Sequence, residues 1–463
     1  MVAFTARRSE PELVAPARPT PRETKPLSDL DDQWTLRYYE TVVGFFRVSS
    51  KMAGLLLSAG DNVAAKVIRA AVAEALVYYY PVAGRLRILP ADCGGNNKLA
   101  VDCTAEGVVF VEATADVQLE ELGEPLLPPY PCVEEFLGDA GDTRAILDKP
   151  LLFLQVTQLK CGGFVIGLHM CHCIFDAFGL LQFIKTIADL AGGEPVPSTT
   201  PVWGREFFAA RTPPSLTHVY PAYKPILDSL DRNKDDDVML TTPPETMVMK
   251  YFNFGPKEIA ILRSLIPPHL IKSTTTFELL TAVMWRCRTL ALGYEPDQQV
   301  RLMFTLNLRG GWNHEATIPQ GYYGNAHFSP LVVVTVDELI RQPLADTVEL
   351  MCRAKSNTTK ECMESMVDLL ASWREQPAFP IERTYEVSDT KWVGGAGALR
   401  CGVAELVGGG TPFAGDLTSK LISYHMKCKD ENGEDSIVVS MLLPKPAMEG
   451  FTKEMSFCLV EEP

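Results

Sequence analysis

The segment from His172 to Asp176 holds the residues whose types and spacing are best suited to chemistry. An apolar, alternating run over residues 164–171 leads into His172, so the histidine is expected at the end of a strand, where its ring projects into a cleft. Asp176 precedes a helical pattern, and this position predicts an N-cap. Because a histidine accepts and returns protons near neutral pH, His172 is a candidate for acid–base chemistry, while Asp176 has a structural role whether or not the histidine is catalytic.

The residues of this segment are also compatible with other roles. A histidine after an apolar strand is also a common core residue, so the motif alone leaves its role open. His169 and His172 lie near Cys171 and Cys173, but strand alternation separates the histidines, and the sequence holds no second ligand cluster. No Gly-x-Ser-x-Gly motif, phosphate loop or dinucleotide fingerprint occurs. We therefore expect no metal and no permanently bound cofactor.

Helical and strand-like patterns alternate along both halves of the chain. Apolar residues recur at helical spacing over residues 62–80, and two glycines close a second helix over residues 177–191. Short β-branched runs predict one hairpin over residues 99–112 and another over residues 151–171. In the second half we expect strands at 247–254, 301–308, 331–336, 421–426 and 436–443, and helices at 257–265, 275–292 and 344–373. The alternation indicates an α/β or mixed α+β fold.

A proline-rich segment divides the chain. Residues 194–237 show little regular pattern and end in the acidic run Asp235-Asp236-Asp237. A loop of this length is typical of a linker or of a functional segment. We expect residues 1–193 and 238–463 to form two domains, with residues 194–237 crossing between them.

The net charge and the cysteines narrow the class of protein. The chain has 43 lysines and arginines against 58 aspartates and glutamates, a formal net charge of −15. Because such a surface repels polyanions, we expect no nucleic-acid partner, although a few local cations can hold a small anion. No apolar run is long enough for a membrane span. The 12 scattered cysteines include no Cys-x-x-Cys pair, so a reducing compartment, the cytoplasm, is expected.

The order of the motifs resembles one enzyme family. His172-Cys173-Ile174-Phe175-Asp176 is similar to the His-x-x-x-Asp signature of the plant BAHD acyltransferases, which acylate alcohols and amines from CoA thioesters. Five further stretches resemble family blocks in the expected order: residues 27–33, 79–85, 275–288, 307–309 with 321–325, and 443–451. The first part, residues 11–28, resembles the benzoyl-CoA alcohol benzoyltransferases and the grass hydroxycinnamoyl-CoA monolignol transferases.

This resemblance implies a fold and a reaction. The two halves would be chloramphenicol-acetyltransferase-like domains of similar size, with a channel between them. His172 would take the proton of an alcohol acceptor, whose oxygen attacks the thioester of a benzoyl-CoA or hydroxycinnamoyl-CoA donor, while Asp176 would hold the turn. Acyl-CoA is then a co-substrate, the product is an ester, and the enzyme is expected to be a monomer. The oxyanion donor would come from residues 32–35.

The resemblance also implies residues that bind the two substrates, and these residues have structural alternatives. The residues that the resemblance places on the CoA side are Thr274, Thr275, Arg286, Ser388 and Asp389, and those it places at the acyl pocket are Trp34 and Tyr38. Thr275 is equally compatible with a helix cap and Arg286 with a solvated helix face. The aromatic residues are equally compatible with a core stripe.

One block of the family is altered in this chain. Where the family usually carries Asp-Phe-Gly-Trp-Gly, residues 400–404 read Arg-Cys-Gly-Val-Ala. The family's aspartate is thought to pair with an arginine, for which Arg309 is the candidate, and an unpaired buried arginine is costly, so Glu405 or another acid would have to replace it. Three hypotheses follow: an O-acyltransferase with an aromatic donor, a related enzyme using acetyl-CoA or an amine acceptor, and a silent CoA-binding homologue.

Overall fold

The computed structural model describes most of the chain. The described residues are 3–49, 62–90, 97–219, 223, 237–309, 318–374, 381–391, 400–401, 404–412 and 420–460. Residues 220–222 and 224–236 of the expected linker and residues 402–403 of the altered block lie outside these ranges. Within them, no helix is both long enough and apolar enough to cross a membrane.

Both strands and helices are abundant, as the alternating patterns predict. In chain order the strands are β1 (Arg7–Arg8), β2 (Glu12–Val14), β3 (Thr24–Pro26), β4 (Tyr39–Val48), β5 (Arg85–Ile88), β6 (Leu99–Asp102), β7 (Val108–Ala115), β8 (Leu152–Leu159), β9 (Phe164–Cys171), β10 (Met247–Phe254), β11 (Gln299–Phe304), β12 (Leu306–Asn307), β13 (His327–Phe328), β14 (Leu331–Thr335), β15 (Thr384–Asp389), β16 (Arg400–Cys401), β17 (Ala404–Gly410), β18 (Ile422–Lys429) and β19 (Asp435–Pro444). The α-helices are α1 (Val63–Tyr78), α2 (Ala177–Ala191), α3 (Val238–Thr241), α4 (Pro256–Ser264), α5 (Pro268–Ile271), α6 (Thr276–Leu292), α7 (Val336–Arg341), α8 (Leu344–Ser356), α9 (Lys360–Ser372) and α10 (Lys445–Cys458).

The larger sheet has eight strands in the order β1-β7-β8-β9-β4-β17-β16, with β2 also paired to β7. β8 and β9 form the predicted antiparallel hairpin, so this prediction is confirmed. On its other side β9 pairs with β4, which brings Tyr39 opposite Cys171. β17 pairs with β4 although it comes from residues 404–410. The sheet that carries the histidine therefore contains strands from both ends of the chain.

The smaller sheet has six strands in the order β10-β19-β18-β15-β11-β14. β15 lies at its centre and runs parallel to both of its neighbours, β11 and β18. The helix α6 packs against this sheet, and its Trp285 is buried in the core. The aliphatic and aromatic side chains between helix and sheet exclude water, and this burial is the main source of stability.

Two predictions of secondary structure are wrong. The runs over residues 99–112 do not form a hairpin, because β6 pairs with β3 and β5 in a separate three-stranded sheet, while β7 pairs with β1, β2 and β8. The long helix expected over residues 344–373 is two helices, α8 and α9. Thr359 ends the turn between them by accepting a hydrogen bond from the amide of Cys362 as the N-cap of α9.

The segment that precedes β13 lies against the first turn of α2. A methyl group at Gly179, in the first turn of α2, would lie 2.0 Å from the carbonyl oxygen of Tyr323. Only a residue without a side chain permits this approach. The contact brings residues 321–325 against the helix that starts at Asp176.

Candidate active site

A cavity of about 270 Å³ lies between the two large sheets. We call it the central cavity. The larger sheet contributes Glu40 of β4 and His172, which follows β9, and the smaller sheet contributes Met303, Glu386 and Tyr424. A cavity with this lining is large enough for part of a small organic molecule and contains both apolar surface and groups that can react.

Two hydrogen bonds to the backbone of His172 hold this residue at the wall of the cavity. Its amide donates to the carbonyl oxygen of Tyr38 at 2.9 Å, and its carbonyl oxygen accepts from the side-chain amide of Asn325 at 2.8 Å. The imidazole lies 5.5 Å from the ring of Tyr38 and 6.2 Å from that of His327. Nδ1 is buried, and no hydrogen-bond partner for it exists among the described residues. Nε2 is therefore the nitrogen that can meet a substrate.

Asp176 caps α2 and pairs with an arginine. One carboxylate oxygen accepts from the amide of Gly179 at 2.9 Å, so the predicted N-cap is confirmed. The other accepts from the guanidinium of Arg309 at 2.7 Å and from the amide of Ala326 at 3.0 Å. Burial raises the pKa of this carboxyl, but the charge and hydrogen bond of Arg309, together with His327 and the amide of Gly179, outweigh burial, and the pKa lies below the ordinary value. Asp176 is thus an ionised structural residue whose charge pairs with Arg309 rather than with His172.

Among the described residues, Arg309 pairs with Asp176, which is an acid outside the altered block. Its guanidinium lies against Asp176 and also donates to the carbonyl oxygens of Gly324 at 2.6 Å and Tyr322 at 3.4 Å. Arg400 is opposite Glu405 in the register of β16 and β17. The loss of the family's aspartate therefore leaves Arg309 with a carboxylate partner.

A buried polar network behind His172 was missed by sequence reasoning. Asp31 accepts from the backbone amide of Asn325 at 2.9 Å and from its side-chain amide at 2.8 Å. Its other oxygen accepts from the hydroxyl of Ser28 at 2.5 Å and lies 3.0 Å from the guanidinium of Arg205. Asp31 and Asn325 both lie in stretches that resemble family blocks, and this was the available signal. The network joins the beginning of the chain to the segment that holds the backbone of His172.

His327 is a second histidine at the cavity that the sequence did not single out. Burial lowers its pKa to about 4, and although the charge of Asp176 opposes this, His172 and Arg309 act in the same direction as burial. His327 is therefore neutral at physiological pH and can donate or accept a hydrogen bond in the cavity.

Some of the expected substrate residues lie on the wall of the cavity. Tyr38, Ser388 and Asp389 line it, and Asp389 pairs with Lys391 at 2.9 Å. In the segment expected to supply the oxyanion donor, Gln33 and Thr35 also line it. The structure thus brings these residues to the same space as His172.

The remaining residues expected to bind the substrates do not line the cavity. Thr275 caps α6 in a reciprocal arrangement with Glu278, and the Oγ1 of Thr274 is buried with no partner among the described residues. Arg286 donates to the carbonyl oxygens of residues 340 and 342. Trp34 stacks under the guanidinium of Arg144 at 5.1 Å. Within the described ranges, no group of three or more His, Cys, Asp or Glu side chains is arranged to hold a metal ion.

Comparison with known proteins decides the family. The sequence profile of the Transferase family matches residues 5–458. The chain belongs to this family, the BAHD acyltransferases. Acyl transferase 1 of Oryza sativa subsp. japonica is 58% identical, over 99% of this BAHD acyltransferase and 97% of the relative. Spermidine hydroxycinnamoyltransferase 1 of the same organism is 50% identical over 94% and 95% of the two chains. Benzyl alcohol O-benzoyltransferase of Petunia hybrida is 44% identical over 99% and 94%.

A solved structure confirms the fold of this BAHD acyltransferase. Vinorine synthase superposes with a TM-score of 0.71, covering 98% of each chain at 18% identity. The mixed α/β fold expected from the sequence is therefore confirmed. As a member of this family, the protein is an acyl-CoA-dependent acyltransferase, and acyl-CoA is its co-substrate.

Proposed function

We propose that the enzyme transfers an aromatic acyl group from a CoA thioester to a small alcohol or amine, with His172 as the general base. One observation carries this proposal: His172 lies on the wall of a cavity lined from both sheets, with Nδ1 buried and the backbone fixed on both sides. A base held in this way meets its substrate with little loss of conformational freedom.

The reaction needs only the residues at the cavity. Nε2 of His172 takes the proton of the acceptor as its oxygen or nitrogen attacks the thioester carbonyl carbon. The tetrahedral intermediate collapses, the carbon–sulfur bond breaks, and the proton passes from His172 to the thiolate of CoA. General base catalysis of this kind contributes about 10²–10⁴-fold in rate. Asp176 takes no proton, because Arg309 and the amides of Gly179 and Ala326 hold it ionised in the turn.

The names of the relatives support the aromatic donor. One is a hydroxycinnamoyltransferase and another a benzoyltransferase, and their acceptors, spermidine and benzyl alcohol, are an amine and an alcohol. Both acceptors are therefore candidates here. The ester product remains the expectation from the sequence, and the amide is the second candidate.

Of the residues expected on the CoA side, Ser388 and Asp389 line the central cavity, and this position supports a role for them in binding CoA. Thr274, Thr275 and Arg286 stay predictions, since none of them lines the cavity: Thr275 caps α6, and Arg286 donates to carbonyl oxygens at the end of α7 and just after it. We also propose that the enzyme is a monomer in the cytoplasm. It would consist of two domains, residues 1–193 and 238–463, and residues 404–410 pair with β4 of the first domain. Size-exclusion chromatography with light scattering tests the oligomeric state, and a fluorescent fusion tests the location.

The test is a matrix of donors and acceptors. Benzoyl-CoA, p-coumaroyl-CoA and acetyl-CoA are each combined with benzyl alcohol, 1-butanol and 1-aminobutane, and product and free CoA are separated by chromatography. We expect turnover with an aromatic donor and a loss of at least 10²-fold in kcat for His172→Ala. His269→Ala, a substitution of an exposed histidine in α5, is the matched control and should keep full activity. Wild-type turnover by His172→Ala contradicts the mechanism, and an absence of product with all donors contradicts the proposed function.

A further inference from the structure

Two carboxyl side chains on the wall of the central cavity take no part in the reaction proposed above. Glu40 comes from β4 in the larger sheet, and Glu386 comes from β15 in the smaller sheet. In the register of its sheet, Glu386 is flanked by Met303 of β11 and Ile422 of β18, which also line the cavity. The carboxyl of Glu386 is therefore placed to contact a molecule that fills this space.

The described wall of the cavity carries several acidic side chains, and neither a lysine nor an arginine is among the described residues that line it. The other two acids on the wall are paired with cations behind it, Asp176 with Arg309 at 2.7 Å and Asp389 with Lys391 at 2.9 Å. The wall thus presents negative charge to whatever binds in the cavity, and it favours a cationic ligand over an anionic one.

The carboxyl group of Glu40 is held by three hydrogen bonds. One of its oxygens accepts from the phenol groups of Tyr38 at 2.7 Å and Tyr424 at 3.0 Å, and the other accepts from the amide of Thr41 at 3.2 Å. The carboxyl group is therefore fixed at the cavity by two phenol groups, one from Tyr38, which precedes β4, and one from Tyr424 of β18.

Glu386 is poised to change its charge. Burial raises its pKa to about 7, against the effect of the Ser329 hydroxyl. The other titratable groups on the wall are Tyr38, Glu40, His172, Asp176, Tyr223, His327, Asp389 and Tyr424. A bound ammonium group would favour the ionised carboxyl, since it restores the counter-charge that burial removed.

The remainder of the wall suits a hydrocarbon chain. Apolar side chains from several elements line it: Leu36, Val42, Met170, Phe178, Leu180, Met303, Phe328, Met366 and Leu370. Methylene groups gain from contact with such surface, whereas ammonium groups need a carboxylate. A flexible aliphatic chain with charged ends satisfies both parts of the wall.

We propose that the acceptor of this acyltransferase is an aliphatic di- or polyamine, with a distal ammonium group bound by Glu386 and the reacting nitrogen at His172. Glu40 adds to the negative potential from the opposite sheet. The inference rests on the proposed function and narrows its acceptor from alcohols and simple amines to amines that carry a second charge.

The chemistry balances without any further reactant. The reacting nitrogen enters as the neutral amine and forms a bond to the thioester carbonyl carbon, and the carbon–sulfur bond breaks. One N–H proton passes to Nε2 of His172 and then to the sulfur of the leaving thiolate. The products are an amide and free CoA, and the distal ammonium group keeps its proton throughout.

The experiment compares 1,4-diaminobutane with 1-aminobutane, which lacks the second nitrogen, using the aromatic CoA donor that wild-type enzyme accepts. We expect kcat/KM at pH 8 to be at least tenfold higher for the diamine. Glu386→Gln should lower this ratio at least tenfold, mainly through KM, because the amide keeps the shape but loses the charge. Glu405→Gln, which changes an exposed acid of β17, is the matched control and should keep the wild-type ratio. Glu386→Leu serves as a second variant with the same expectation.

A pH series gives an independent readout. In the wild type the preference for the diamine should rise between pH 6 and pH 8 as Glu386 ionises, and in Glu386→Gln it should lose this dependence. Equal kcat/KM for the two amines in the wild type, or an unchanged ratio in both Glu386 variants, overturns the inference. If alcohols or monoamines are acylated without that preference, the proposed function stands and only the inference fails. If no acceptor of any kind is acylated, both fail.

Discussion

The side-chain amide of Asn325 donates a hydrogen bond of 2.8 Å to the main-chain carbonyl oxygen of His172. These residues are 153 positions apart in the chain, and Asn325 is itself fixed by two hydrogen bonds to Asp31. The contact therefore couples the position of the general base to a buried network that begins near the start of the chain. Asn325 acts through His172, so it is a positioning residue.

Asn325→Ala should lower kcat by about 10–100-fold, because a small displacement of a catalytic group has effects of that order. The KM for acyl-CoA should change little, since the amide touches the histidine backbone. Loss of the donor also leaves an oxygen of Asp31 with one partner fewer, at a cost of about 1–3 kcal/mol in the free energy of unfolding. Steady-state kinetics over a pH series, together with urea denaturation, measures both effects. Asn432→Ala, in an exposed turn, is the control, and equal losses in kcat and in CoA affinity would contradict the positioning role.

The pair of Asp176 and Arg309 should contribute stability that depends on pH. Because Arg309 and the other groups that contact Asp176 together outweigh burial and lower the pKa of Asp176, the contribution is complete above the ordinary carboxyl pKa of 3.8 and is lost as the pH falls through the lowered value. Asp176→Asn should therefore cost about 3 kcal/mol in the free energy of unfolding at pH 7. The difference from the wild type should remain constant between pH 5 and pH 8 and shrink in stronger acid.

A surface pair provides the comparison for this measurement. Lys185 and Asp189 are one turn apart on α2 and lie 3.0 Å from each other, with the lysine half exposed. Asp189→Asn should cost no more than about 0.5 kcal/mol, as exposed helix pairs do. An equal cost for the two substitutions would show that the buried pair contributes nothing beyond a surface contact.

Local patterns predicted the parts of the fold that are local. The hairpin of β8 and β9 forms because two alternating runs flank a Gly162-Gly163 turn, and the cap at Asp176 forms because a carboxylate precedes a helix. The supposed hairpin over residues 99–112 failed because its two runs find better partners elsewhere. β6 pairs with β3 and β5, and no spacing rule encodes that choice between distant strands.

The candidate site also contains some residues that a local motif predicts and others that only the tertiary fold brings together. His172 and Asp176 were found because their spacing within one motif carries the signal. Glu40 and Glu386 gave no signal, because a single acid in a strand normally faces solvent, and only the meeting of two sheets brings these two to one cavity. The partner of Arg309 was missed because the sequence directed attention to an absent aspartate, while the carboxylate that pairs with it lies 133 residues away.

Glu386→Gln should stabilise the enzyme at alkaline pH. The pKa of Glu386 rises from 4.5 to about 7 on folding because the carboxyl is buried. A raised pKa means that its contribution to stability is present below pH 4.5 and is lost as the pH rises through 7. At pH 8 the glutamine variant should therefore unfold with a free energy about 1–3 kcal/mol larger than the wild type, and this advantage should disappear near pH 5.

Urea denaturation at pH 5 and pH 8 measures that change. Glu405→Gln should show no difference between the two pH values, because Glu405 is exposed on β17. If Glu386→Gln and the wild type differ by the same amount at both pH values, the carboxyl does not titrate in this interval.

Gly179→Ala should disrupt the contact between α2 and the segment that holds His172. The new methyl group would lie 2.0 Å from the carbonyl oxygen of Tyr323, so one of the two backbones must move. We expect a loss of about 2–3 kcal/mol in the free energy of unfolding, as for other overpacked sites. Because Asn325 lies two residues beyond Tyr323, kcat should fall as well.

Gly450→Ala in α10 is the matched control. Its methyl group would lie 3.7 Å from Ala291, an ordinary contact, and the substitution should raise helix stability by about 0.5–1 kcal/mol. Equal stability for the two variants in urea would show that the approach of α2 to Tyr323 is not a constraint on the fold.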